Sequence, residues 1–260
     1  MSEYATFGDV RLELGDNYVA TAEIQRGPNN FFDRVLIASL TDAFERLDDE
    51  PNCRAIVLAS QGKHFCAGAN FASRDNPVED GSGRHLYDEA VRLFSTRTPV
   101  VAAIQGAAIG GGLGLALMPD FRVAVPEARF SANFARLGFH HGFGLSVTLP
   151  RLVGPQASAE LLYTGRRING EQAYALGLCD RLVSIDRLRN EASRLAAEIA
   201  GSAPLAVDSI RQTLRGDLPG EIRRATDREK SEQDRLQETD DFREGTRAMA
   251  ERRDPDFSGR

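Results

Sequence analysis

Gln105-Gly106-Ala107-Ala108-Ile109-Gly110-Gly111-Gly112-Leu113-Gly114-Leu115-Ala116-Leu117 joins a glycine cluster to an apolar run that opens a helix after a strand. Free backbone N–H groups at such a start, together with the helix dipole, stabilise an anion. The spacing is not GxGxxG, because the residue three after Gly112 is Leu115, and no ribose-binding acid sits about twenty residues on in a second βα unit, as a dinucleotide site requires. A nucleoside triphosphate would lack its Walker lysine. Upstream, Lys63-His64-Phe65-Cys66-Ala67-Gly68-Ala69-Asn70-Phe71 follows a buried strand. Small residues around Gly68 let backbone N–H groups come close to a ligand oxygen. Taken alone, a ligand-free strand-to-loop turn explains this second segment equally well.

Working outward, Val10 to Leu14 and Tyr18 to Ile24 alternate in polarity around Gly15-Asp16-Asn17, which predicts a hairpin. Leu36, Leu40, Phe44 and Leu47 predict an amphipathic helix within Phe32 to Asp49, and Arg54 to Ser60 reads as a buried strand. After a Gly- and Asp-rich loop from Gly68 to Gly83 the pattern resumes with a helix near His85 to Ser95 and strands at Val100 to Gln105 and Phe121 to Val125. Such alternation implies an α/β core. Ala157 to Arg253 is nearly all helical in pattern, and its mixed charges from Glu221 onward read as a solvated, salt-bridged face or as a subunit-contact arm. The simplest division is a core over 1–195 and a helical C-terminal region over 196–260.

With 260 residues, 42% hydrophobic and 27% charged, the chain has enough apolar material for a sizeable core. Its net charge of −6 argues against a nucleic-acid partner, although all but two of its basic residues are arginines, which clamp phosphate well. The longest apolar stretch, Pro99 to Pro119, is interrupted by glycines and Gln105, and the N-terminus does not read as a signal peptide. The expectation is a cytoplasmic protein that makes no use of a membrane. Cys53, Cys66 and Cys179 form no CxxC pair, so reduced thiols are expected and no metal is implied.

Together the two glycine segments, FCAGANF and QGAAIGGG, resemble the crotonase or enoyl-CoA hydratase/isomerase superfamily, whose members carry F-x-A-G-A-D-like and N-G-x-A-x-G-G-G-like loops. The resemblance continues through Arg54 to Asn70, Pro99 to Val125, Leu149 to Gly154, Thr164 to Ala173, Gly177 to Asp180 and Pro255 to Arg260, essentially the whole chain. It implies an α/β, crotonase-type spiral of strand-strand-helix turns with a helical C-terminal trimerisation region, assembled as a homotrimer or a dimer of trimers. It further implies an acyl-CoA thioester as the ligand, with CoA entering as part of the substrate and no tightly bound cofactor. The thioester oxygen would lie in an oxyanion hole made by the N–H groups of Ala69 and Gly111. CoA and the acyl group would lie along Arg26, Pro28, Ala67, Gly68, Asn70, Phe71, Gly110 and Phe134, with Phe257 and Arg260 near the adenine or phosphates.

The departures from the family pattern concern proton transfer. The two positions where hydratases of the family carry glutamate align with Gly114 and Phe134, and a position where isomerases and a dehalogenase place aspartate aligns with Gly142. None of these can move a proton, and a general acid or base contributes roughly 10² to 10⁴ in rate. His141 and His140 are the candidate catalytic substitutes, with a packing role as the competing reading. His85 and Tyr87, at the start of a helix that borders the acyl pocket in the family, are candidate polar groups there. Asp75, Glu79 and Asp80 read as solvated loop charge, Asp120 as structural and Cys66 as packing; Ser146 lacks a GxSxG elbow. Two functions follow: a crotonase-type lyase or isomerase on CoA thioesters, or a non-catalytic fatty acyl-CoA-binding protein of the same fold.

Overall fold

The computed structural model describes residues 2–69 and 85–260. The chain opens with three antiparallel strands, β1 (Ser2–Phe7), β2 (Val10–Leu14) and β3 (Val19–Ile24), the last two forming the expected hairpin. Helix α1 (Arg34–Asp48) begins two residues later than its periodicity predicts, because Asp33 caps it by accepting the Leu36 N–H at 2.8 Å. Its stripe of Leu36, Leu40, Phe44 and Leu47 is fully buried.

Parallel strands β4 (Ala55–Ser60) and β5 (Val100–Ile104) follow, with helix α2 (Leu86–Phe94) between them in sequence. Every residue of both strands is buried, which is why they read as unbroken apolar runs rather than alternating ones. The sequence reading contained no second strand after β5, but Ala107–Ile109 forms the short strand β6, leading into α3 (Gly111–Leu117). Next come β7 (Phe121–Ala124) and a second short strand, β8 (Arg129–Ser131).

These short strands show how the spiral is built. β6 pairs in parallel with β8, and Cys66 bridges in parallel to Ala108 of β6. Each turn therefore lays one long strand in a large sheet (β4, β5, β7) and one short segment in a small layer (Cys66, β6, β8), then leaves through a helix. With β9 (Ile168–Asn169) closing the small sheet and β10 (Arg181–Leu182) extending the large one, the large sheet runs β1-β2-β3-β4-β5-β7-β10.

Helix α4 (Leu145–Thr164) starts well before the predicted helical region and is kinked at Gly154 (φ +77°), next to Pro155, which cannot donate to the helix ladder. After α5 (Gly170–Ala175), α6 (Leu188–Ala200) packs on β4, β5 and β7. It runs unbroken through residue 195, so the division expected there falls inside a helix that belongs to the sheet. Helices α7 (Pro204–Arg215), α8 (Leu218–Leu236) and α9 (Asp240–Glu251) complete the chain. No helix among the described residues is long and apolar enough to cross a membrane.

Candidate active site

Backbone pairing brings the two glycine segments together. The Cys66 N–H donates to Ala107 O at 2.9 Å, the Ile109 N–H returns to Cys66 O at 3.1 Å, and the Phe32 N–H donates to Gly68 O at 2.9 Å. Gly68 holds φ +91°, and a Cβ there would lie 2.9 Å from Ile109 O, so only glycine passes this crossing freely. A Cβ on Gly112 would lie 2.3 Å from Cys66 O, which fixes how closely α3 approaches the first segment. As a result Gly68, Ala69, Gly110 and Gly111 all face one cavity of about 860 Å³. Neither the Ala69 nor the Gly111 N–H meets an acceptor among the described residues; Gly111 is the first residue of α3, where no intrahelical partner exists.

The rest of the wall is mainly aromatic. Phe32 and Phe143 meet edge to face at 4.9 Å, and Phe134 packs on Phe139 at 5.4 Å. Aromatic rings also fill the space at positions 114 and 134. A Cβ on Gly114 would lie 2.8 Å from Phe143 Cδ1, and Phe134 itself, a cavity residue, is 8% exposed. At Gly142 the neighbours are polar, the Tyr87 hydroxyl and Gln233 Nε2. Asp33, the one carboxylate among the described lining residues, is committed to the α1 cap and to Arg26 Nη1 at 2.6 Å.

Of the candidate site residues singled out from sequence, Ala67, Gly68, Ala69, Tyr87, Gly110, Gly111 and Phe134 share the cavity, and His85 does not line it. His140 and His141 are not among its lining residues. Their rings stack at 4.1 Å, His140 Nδ1 lies 2.8 Å from His141 O, and His141 Nε2 lies 2.8 Å from Ser146 Oγ. The Ser146 hydroxyl in turn donates to Glu229 Oε1 at 2.7 Å. Glu229, fully buried, also accepts the Gly144 and Ser146 N–H groups at 2.8 and 3.0 Å and so caps the start of α4. Burial, helped by the His140 charge, holds His141 down to about 4, so its ring is neutral, while burial pushes Glu229 up despite the hydrogen bonds it accepts. This cluster holds the loop that leads into α4, and none of its four side chains is among those lining the cavity.

Four of the expected CoA contacts, Arg26, Pro28, Phe257 and Arg260, are not among the residues that line the cavity. Arg26 is held by Asp9 at 2.7 Å, by Asp33 and by Phe31 O, next to Pro28, whose peptide bond with Gly27 is cis. Phe257 and Arg260 are exposed on a tail tied to the start of α9: Asp241 accepts the Ser258 and Gly259 N–H groups, and its own N–H donates to Arg260 O. Asn70, Phe71, Asp75, Glu79 and Asp80 lie outside the described residues. Cys66 is buried and its thiol is pushed up to about 12, as an apolar packing residue requires. No group of three or more His, Cys, Asp or Glu among the described residues is arranged to hold a metal ion.

The residue absent from the sequence reading is Gln233, which lines the cavity from α8. Ile222, Thr226, Glu229 and Gln233 follow at spacings of four, three and four, a helix face, but the surrounding charges masked it.

Comparison with known proteins agrees with this architecture. The enoyl-CoA hydratase/isomerase family profile matches residues 15–260. The chain is 32% identical over 244 residues to a carnitinyl-CoA dehydratase of Proteus mirabilis, covering 91% of this chain and 94% of that protein. It is 32% identical over 232 residues to a crotonyl-CoA hydratase of Syntrophomonas wolfei, with 88% and 89% covered. An enoyl-CoA hydratase/isomerase structure from Pseudoalteromonas atlantica superposes with a TM-score of 0.88 at 30% identity, over 96% of this chain and 100% of that one. The crotonase-type spiral, the paired glycine segments and these matches lead to one conclusion: the chain belongs to the enoyl-CoA hydratase/isomerase family.

Proposed function

We propose that this chain is a crotonase-type enzyme, a lyase or isomerase acting on an acyl-CoA thioester, in which the N–H groups of Ala69 and Gly111 hold the thioester oxygen. The observation that carries this reading is the pair of N–H groups without acceptors among the described residues, brought by separate segments to the wall of one cavity of about 860 Å³. An enolate or tetrahedral oxyanion gains most from donors already in place, and losing one such donor costs roughly 2.7–4 kcal/mol. The acyl group lies among Phe32, Phe134 and Phe143; Arg26, Pro28, Phe257 and Arg260 stand on the CoA side. CoA enters with the substrate, and no resident cofactor belongs to this reading. The relatives named as a dehydratase and a hydratase support the lyase class.

A second reading, a fatty acyl-CoA-binding protein without turnover, draws on a specific feature: positions 114, 134 and 142 carry no ionisable side chain. A single-turnover incubation, protein in excess, with enoyl-, 3-hydroxyacyl-, 3-oxoacyl- and branched acyl-CoA thioesters separates the two. A mass change in one thioester is the expected result and names the reaction. Thioesters that bind and return unchanged establish the binder, and thioesters that fail to bind refute both readings.

The same proposal assigns a homotrimer, or a dimer of trimers. Its support is α7, which has no buried residue within the protomer and exposes Leu205, Ile210 and Leu214. The free thiols Cys53, Cys66 and Cys179 fit a reducing compartment, the cytoplasm.

A further inference from the structure

Tyr87 ties three parts of the cavity wall together. Its hydroxyl donates to Gln233 Oε1 on α8 at 2.7 Å and accepts the Phe143 N–H, and all three residues line the cavity. Phe143 sits at φ +60°, a left-handed backbone conformation that a bulky residue keeps only where its surroundings hold it, and its ring packs on Phe32 beside Gly111. The position of Tyr87 therefore decides how Phe143 and Gln233 meet a bound acyl group.

The other end of Tyr87 is held by His85. At the start of α2 the His85 imidazole accepts the Tyr87 N–H on Nδ1 at 3.1 Å, and Asp88 Oδ2 accepts the His85 N–H at 3.0 Å. The usual capping residues, Ser, Thr, Asp and Asn, present an oxygen that accepts throughout the neutral range. An imidazole accepts only while neutral. Once protonated, both of its nitrogens are donors, so Nδ1–H would face the Tyr87 N–H and add a positive charge to the positive end of the helix dipole. The described charges around the ring are Asp88 on α2, itself paired with Arg223 at 2.6 Å, and Lys230 and Asp234 on α8, paired with each other at 2.5 Å. Partial burial, with the Lys230 charge acting the same way, holds His85 below its ordinary 6.5 against the pull of Asp88 and Asp234, so the cap is intact at neutral pH and lost under acid conditions.

We propose that His85 is a positioning residue for the acyl site and makes that site proton-sensitive: the neutral imidazole fixes Tyr87, and through it Phe143 and Gln233, in the form that binds the acyl group, and protonation releases them. The proposal rests on the acyl-CoA reading above. His85 itself does not line the cavity, and it exchanges no proton with the ligand.

The test compares the whole protein with His85→Asn, which keeps a cap that stays uncharged, and with His85→Ala, which removes it. In calorimetric titration with butyryl-CoA, the parent loses roughly 5-fold more affinity between pH 7.5 and pH 5.0 than His85→Asn does, and His85→Ala binds roughly 5-fold more weakly than either at pH 7.5. Every other titrating group, the CoA phosphates included, is common to the three proteins, so the difference belongs to His85. An equal loss in the parent and His85→Asn overturns the proposal, as does His85→Ala binding as tightly as the parent at pH 7.5. Without any thioester, hydrogen exchange reads the cap directly: protection of the Tyr87 amide falls roughly 5-fold in the parent over the same pH range and holds in His85→Asn. Protection that stays unchanged in the parent overturns the cap, even should a variant fail to fold. Failure of butyryl-CoA to bind any of the three overturns the acyl-CoA reading, and the exchange result then still decides the cap.

Discussion

At the scale of single residues, proximity in sequence proved a poor guide to role, as His141 shows. It lies one residue from Gly142, yet its ring is turned to Ser146 and stands 3.9 Å from the Glu229 carboxylate. Burial, with the His140 charge acting in the same direction, lowers the His141 pKa from 6.5 to about 4. The unfolded chain therefore binds this proton before the native one does. The stability His141 contributes is full above pH 6.5 and lost as the pH falls from 6.5 to 4. Glu229, raised by burial, works in the opposite sense, losing stability as the pH rises above the usual carboxylate value. Comparing the protein with His141→Gln isolates the histidine. Between pH 7 and pH 5 the parent should lose about 2 kcal/mol more than the variant in urea unfolding. An equal loss in both would show that His141 is charged in the folded state.

Among the elements, the informative contrast is between the long strands, legible in sequence, and the short ones, which were not. β4 and β5 announce themselves because they are covered on both faces, whereas Ala107–Ile109 and Arg129–Ser131 are three residues each, too short for any period to show. They matter most for the site, since β6 ties Cys66 to the glycine cluster. Ala69 and Gly111, singled out from sequence through the family resemblance, both line the cavity. Gln233 was not singled out, because its partner Tyr87 lies 146 residues away and α8 reads as a charged surface helix. Arg122 was likewise hidden: fully buried, it donates to the carbonyls of Leu178, Pro119 and Asp120 and pairs with Asp180, contacts that only the fold assembles. The β6–α3 junction gives a direct check of how the elements depend on one another. Gly112→Ala, which in an ordinary helix stabilises by about 0.5–1 kcal/mol, would here press a methyl against Cys66 O. The expected result is a loss of about 2 kcal/mol and a fall in Tm of roughly 4–8 °C, with weaker acyl-CoA binding as Ala69 is displaced. An unchanged or raised Tm would mean that α3 does not approach Cys66 this closely.

For the whole molecule, the argument turns on the orientation of α7. A surface helix ordinarily buries its apolar stripe and shows solvent its charges. Here the charged face is docked: Arg211 reaches both oxygens of Asp120 at 3.0 Å and the carbonyl of Thr96 at 2.6 Å, and Arg215 reaches Asp120 at 3.4 Å. Asp120 in turn accepts the Val100 N–H at 2.9 Å, so the anchor runs into β5. The apolar face is left outside, with Leu205 85% and Leu214 81% exposed. Burying one leucine is worth roughly 1.5–3 kcal/mol, so a patch of this kind repeated on identical copies is a strong drive to self-association. Sedimentation should give a mass three or six times the 28.4 kDa protomer. Leu205→Glu combined with Leu214→Glu should shift it toward the protomer without lowering helical content, because the substitutions leave the Arg211–Asp120 anchor in place. A parent protein that sediments as a protomer at micromolar concentration would refute assembly through α7. A variant that keeps the parent's mass would move the interface to another face of the protein.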